Sequence, residues 1–244
     1  MQSNNPIFSR VQVEADYSQP MTVEGAVQKA VLMTGIAAVV GVVFYIMCIA
    51  AGSMSMAYGG LIVGGIGSFI VALIATFKPN TAPALGIPFA LLEGVFLGGV
   101  SLMFEMRYPG IASQALLATF ASALTMFTLY RFGIIRATEK FKSVVLAATF
   151  AIMIVFVVQL IMRFVFSSTI PGLFEATWLG IGFAGFVAII ACLNLILDFD
   201  LIETGAANGA PKSFEWVCGI ALLATLVWMY ISFLRLIGFL SSDD

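Results

Sequence analysis

Residues 178–198 read WLGIGFAGFVAIIACLNLILD, twenty residues without a charge that end on Asp198. At 1.5 Å of rise per residue, a helix of that length covers about 30 Å, the thickness of a bilayer's hydrocarbon core. A surface helix of a soluble domain is apolar along one stripe only, whereas this one is apolar all round and reads as a membrane span. Six further runs of the same kind accompany it: Gln28–Ala51, Met56–Phe77, Ala84–Phe104, Ile111–Phe132, Val144–Phe166 and Phe214–Leu240. The expected fold is therefore an all-α integral membrane protein with seven transmembrane helices over residues 28–240. A polar cytoplasmic tail over 1–27 precedes it and a short tail over 241–244 follows. Composition points the same way, with 61% hydrophobic residues, 10% charged and a mean hydropathy of +1.07.

The tail carries Asn4, Asn5, Pro6, Arg10, Glu14, Asp16 and Pro20 but no apolar run ahead of a cleavage site, so no secretory signal is expected. Cys48, Cys192 and Cys218 fall inside spans and read as small apolar packers rather than as a disulfide framework. Placing the N-terminus inside puts Arg10, Lys29, Lys78, Arg131, Arg136, Lys140, Lys142 and Lys212 toward the cytoplasm, and leaves Arg107, Arg163 and Arg235 toward the other face. With seven spans the C-terminus then lies outside. A net charge of -2 and a pI near 5.1 give no reason to expect nucleic acid as a partner. The partner is the lipid bilayer.

The acids within this apolar chain are the candidates for function. A charge at the bilayer centre costs at least about 2.5–3.5 kcal/mol, so Glu93, in the middle of the third span, must be neutralised or serve a purpose. Its structural alternative is a protonated carboxyl bonded to a neighbouring helix. Asn194 and Asp198 are i and i+4 and share a helix face, whereas Asp200 points about 200° away from Asp198 and aligns better with Glu203. Asp198 is thus expected to face the interior, with Asp200 and Glu203 as the solvated end of the sixth helix. Glu215 opens the seventh span, where a helix N-terminus favours an anion. Arg163 and Arg235, near span ends, are expected to snorkel to the interface or to pair with an acid.

Absences exclude whole classes. The chain contains no histidine, which removes histidine-ligated haem, the H-E-x-x-H zinc site and a Ser-His dyad. Its lysines, Lys29, Lys78, Lys140, Lys142 and Lys212, lie at span edges or in loops, where a retinal Schiff base would not form. No Gly-x-Gly-Asp element of an intramembrane aspartyl protease occurs. Neither an enzymatic activity nor a cofactor is expected.

Three stretches, Phe89-Ala90-Leu91-Leu92-Glu93-Gly94-Val95-Phe96-Leu97-Gly98, Asp198-Phe199-Asp200-Leu201-Ile202 and Tyr230-Ile231-Ser232-Phe233-Leu234-Arg235-Leu236, resemble successive landmarks of the Bax inhibitor-1 family, the transmembrane Bax-inhibitor-motif proteins. Tyr108-Pro109-Gly110-Ile111, Thr138-Glu139-Lys140-Phe141 and Ala210-Pro211-Lys212-Ser213-Phe214-Glu215-Trp216 resemble its bacterial branch, which would place the chain in a bacterial inner membrane. The resemblance implies a bundle with the last helix at its centre and a pH-sensitive leak of calcium or other cations. In eukaryotic members it also implies suppression of cell death. Its gate implies two aspartates that share a proton or charge. The first corresponds to Asp198, which would also be the transient calcium contact; the second falls near Thr225, which is not acidic, so Asp198 would have to couple to Glu93 or Glu215 instead. A carboxylate suits calcium, which takes oxygen ligands. Two other readings stay open: a proton-coupled transporter with Asp198 and Glu93 as relay, and a non-transporting membrane scaffold.

Overall fold

The structure, a computed structural model, describes residues 20–242. The tail residues 1–19 and Asp243 and Asp244 lie outside the described residues. Seven α-helices follow in order: α1 (Val23–Ala50), α2 (Met54–Phe77), α3 (Ala82–Arg107), α4 (Ile111–Arg131), α5 (Glu139–Val165), α6 (Trp178–Ala207) and α7 (Phe214–Leu240). All seven are long and apolar enough to cross a membrane, and the described residues form no strand. Large side chains such as Val31, Phe69, Leu117, Leu124 and Phe164 are exposed along the helices, as lipid-facing residues are.

Helix ends depart from the apolar runs where polar residues prolong a helix past the membrane. Thr22 caps α1 by accepting from the Gly25 amide at 2.9 Å, so that helix starts at Val23 rather than at Gln28. Thr138 does the same for α5 through the Phe141 amide, which moves its start from Val144 to Glu139. The sixth helix does not stop at Asp198 but continues to Ala207, so Asp198 and Asp200 are interior to it.

The chain forms two compact units. The first comprises the chain up to Met103 together with Asp198–Ala224, the second Phe104–Leu197 together with the chain from Thr225 onward. In the first unit, α3 is gripped from two sides through small residues. A Cβ added at Gly94 would lie 2.7 Å from the Ala37 carbonyl, and one at Gly98 2.6 Å from the Gly41 carbonyl, so both glycines let α1 touch α3 backbone to backbone. Across α2, a Cβ at Gly64 would lie 2.7 Å from the Leu92 carbonyl and from the Phe96 amide. Near the start of α1 a small core gathers Met21, Ala26, Ile202, Ala210, Phe214 and Cys218. At the other end of α1, Cys48, Ala57 and Leu102 form a second one. In the second unit Ile152, Val187 and Ile190 pack with Phe183 and Trp228.

Burial is uneven. Only 11% of the apolar span of α5 is buried, against 50% in α6 and 56% in α7. The last helix has the largest buried share of the seven.

The close approaches predict a contrast between glycines. Gly98→Val should destabilise the protein by about 1–3 kcal/mol, because a side chain there meets backbone that cannot swing away. Gly35→Ala on α1, with nothing within 4 Å of its Cβ, should be neutral or slightly stabilising. Thermal unfolding in detergent measures both, and equal midpoints for the two variants would contradict the packing described.

Candidate functional site

Glu93 sits on α3 one residue before Gly94, so the same close approach that brings α1 and α2 onto α3 also encloses the carboxyl. It is 7% exposed, and its Oε2 is buried and accepts no hydrogen bond. Its polar neighbour is Ser68 of α2, likewise buried, which shares a side-chain hydrogen bond with it. The Ser68 hydroxyl lies 3.2 Å from the Gly65 carbonyl, to which it donates. A hydroxyl has one proton to give. Ser68 therefore divides its hydroxyl between the Gly65 carbonyl and the Glu93 carboxyl.

Asp198, in the same unit, is half-buried on α6, with its Oδ2 closed off from the surface. Cys218 of α7 is buried within electrostatic range of both Asp198 and Glu215. Asp200 is half-buried like Asp198, and Glu203 is exposed.

Glu215 has a second task beside the one expected. It is 2% exposed, lies in the first turn of α7, and also serves the N-terminus of α1. Its Oε1 accepts from the Thr22 amide at 3.1 Å and from the Thr22 hydroxyl at 3.3 Å, while its Oε2 lies 3.9 Å from Lys29 Nζ. Lys29 in turn stands 5.6 Å from the Trp216 ring centroid. Gly25 is required beside it, since a Cβ there would fall on the Glu215 carboxylate. An isolated bridge between Pro20 and Pro211, with the Met21 amide bonded to the Ala210 carbonyl at 2.8 Å, holds the same two segments together.

Asn194 lies in the second unit, where its amide nitrogen donates to Thr149 Oγ1 and to the Ile190 carbonyl, each at 2.8 Å. Both of its donors are therefore used in joining α6 to α5 and to the preceding turn. Arg235 meets rings instead of an acid. Its guanidinium carbon lies 4.3 Å from the Phe174 ring centroid, 5.2 Å from Phe239, 5.6 Å from Phe183 and 5.7 Å from Phe156. Its Nη2 donates to the Leu173 carbonyl at 2.9 Å. Arg163 is exposed, and Thr225 is buried within α7.

Of the candidates, the structure thus brings Glu93, Asp198, Asp200 and Glu215 into one unit and places Asn194, Arg163 and Arg235 in the other. Among the described residues no three His, Cys, Asp or Glu side chains gather as they would to hold a metal ion. Sequence reasoning missed Ser68, Thr22 and the pairing of Lys29 with Trp216. Thr22 carried a readable signal, a capping residue ahead of an apolar run; Ser68, a small residue on a glycine-lined face, carried none.

The sequence model of the family described as Bax inhibitor 1 like matches residues 5–242. No curated protein and no solved structure matches the chain. The family match and the seven apolar helices extend over nearly the same residues, and the chain belongs to the Bax inhibitor 1 like family.

Proposed function

We propose that this membrane protein is a pH-sensitive leak for calcium or other cations, non-enzymatic and seated in a bacterial inner membrane, with Asp198 as the gating or ion-contacting group. The observation that carries the reading is Glu93, a carboxyl buried inside a membrane-spanning helix beside the buried hydroxyl of Ser68. An acid held this way takes part in proton exchange whenever the helices around it loosen, which couples the state of the bundle to pH.

The disposition of the other acids supports this choice. Thr225 stands where the family's gate has its second acid. Of the two substitutes, Glu215 is committed to Thr22 and Lys29. Glu93 is not committed in that way, and it shares the unit of Asp198. Calcium enters as the permeating ion, met in passing by Asp198, whose oxygens are of the hard type calcium takes.

Three expectations follow from this reading. In calcium-dye influx into proteoliposomes between about pH 6 and 8, Asp198→Asn should flatten a pH profile that a one-proton gate steepens by up to about tenfold per unit. Asp200→Asn should alter it far less, and an unchanged profile in Asp198→Asn at equal protein incorporation would remove that residue as the switch. Flux that saturates and requires counterflow would mark a transporter instead, and no flux at all a scaffold.

Glu93→Gln should insert and fold nearly as the parent does, because an amide keeps the shape of the acid, carries no charge and can hydrogen-bond to Ser68 in either direction. Glu93→Lys adds a cost of at least about 2.5–3.5 kcal/mol and should lose the monodisperse peak on size exclusion. Equal yields of the two variants would contradict the enclosure of this side chain. For orientation, single-cysteine labelling should place Lys140 in the cytoplasm and Asp244 outside. Both sites on one side would refute the seven-span assignment with the N-terminus inside.

A further inference from the structure

The turn that follows α4 is built to hold two apolar side chains outward among unpaired cations. The Gly133 amide bonds to the Tyr130 carbonyl at 2.9 Å and the Ile134 amide to the Leu129 carbonyl at 2.9 Å, with Gly133 at a φ of +68°. These are the two hydrogen bonds and the left-handed residue of a Schellman cap. Such a cap ordinarily turns the residue after its glycine back against the helix it ends. Here that residue, Ile134, is 69% exposed, and Phe132 on the other side of the glycine is 76% exposed. Arg136 folds over the turn, its Nε and Nη2 standing 3.4 Å from where a Gly133 Cβ would be.

The cations around this pair are sorted by partnership. Lys142 is bound to Glu139 at 3.6 Å. Among the described residues Arg131, Arg136 and Lys140 make no ion pair, and all three are exposed. An exposed Phe and Ile in a polar loop are costly in water, and three unpaired cations are costly in hydrocarbon. Both are satisfied at one place, the boundary where acyl chains meet anionic headgroups. The loop continues directly from α4, whose exposed Leu117, Phe120 and Leu124 face lipid up to that boundary.

We propose that the α4–α5 loop is an anchor for anionic phospholipid, in which Phe132 and Ile134 enter the headgroup boundary while Arg131, Arg136 and Lys140 bind lipid phosphates. The anchor stands independently of the leak reading. Rigidity is its distinguishing feature: the capped turn presents the apolar pair in a fixed position, so little ordering is left to be done on contact.

The test places an environment-sensitive fluorophore on Ile134→Cys in the full chain. The buried Cys48, Cys192 and Cys218 are replaced by alanine, and the protein is reconstituted in vesicles of phosphatidylcholine with or without phosphatidylglycerol. The label should be quenched by spin-labelled lipid more than by aqueous iodide, and phosphatidylglycerol should strengthen that difference in a salt-sensitive way. Each cation contributes on the order of a fivefold effect. The combined Arg131→Gln, Arg136→Gln and Lys140→Gln variant should lose the response to phosphatidylglycerol, whereas Arg131→Lys with Arg136→Lys should keep it. Phe132→Ser should raise iodide access in both lipids. Size exclusion and circular dichroism confirm that each variant compared is folded. Equal iodide access with and without phosphatidylglycerol, or a full response in the triple-glutamine variant, would overturn the proposal. A label open to iodide in every vesicle would also overturn it and assign the surface to a protein partner.

Discussion

Backbone contact at glycine is the constraint on which the first unit depends. Within a bilayer the lipid tails are as apolar as leucine, so helices gain nothing by hiding apolar surface from one another. What remains is close packing, and α3 obtains it at Gly94 and Gly98 against α1 and through the Leu92–Phe96 turn against Gly64 of α2. The enclosure of Glu93 follows from this. The carboxyl stands beside a glycine that touches a neighbouring backbone, and its polar neighbour is the buried hydroxyl of Ser68. Helix packing and the burial of this acid are in this way two aspects of a single contact.

The remaining polar side chains fall into two groups. Glu215, Asn194 and Arg235 are satisfied by structure: a helix end, a threonine hydroxyl with a carbonyl, and a ring of phenylalanines. The arginine needs no acid there, because four ring faces supply the negative charge density that a carboxylate otherwise would. Asp198 and Glu93 belong to the other group, acids with an oxygen buried in the membrane-spanning part of the first unit. That division narrows the candidates for ion or proton chemistry from seven side chains to two, with Asp200 at their margin.

Span number and span order were legible in the sequence, because the absence of charge over twenty residues and its sudden return are local signals. Helix ends were not, since hydropathy reads the membrane while a helix continues into water wherever a cap allows it. Thr22 and Thr138 extend α1 and α5 in this manner, and the polar turn from Asp200 to Ala207 extends α6. Long-range partners were the least visible. Glu215 lies 193 residues from the threonine it binds, and the rings about Arg235 come from four separate places between Phe156 and Phe239. No pattern within a window of the chain encodes either arrangement.

The bond from Glu215 to Thr22 also bears on how the protein is made. Synthesis proceeds from the N-terminus, so α1 enters the bilayer long before the residue that completes its first turn exists. Until α7 emerges, the Thr22 amide has no carboxylate, Lys29 has neither Glu215 nor Trp216, and the bridge from Pro20 to Pro211 cannot form. The first unit is therefore closed by a late part of the chain. Its earliest helix stays provisional through most of translation, and the final helix acts as the keystone that ends biogenesis.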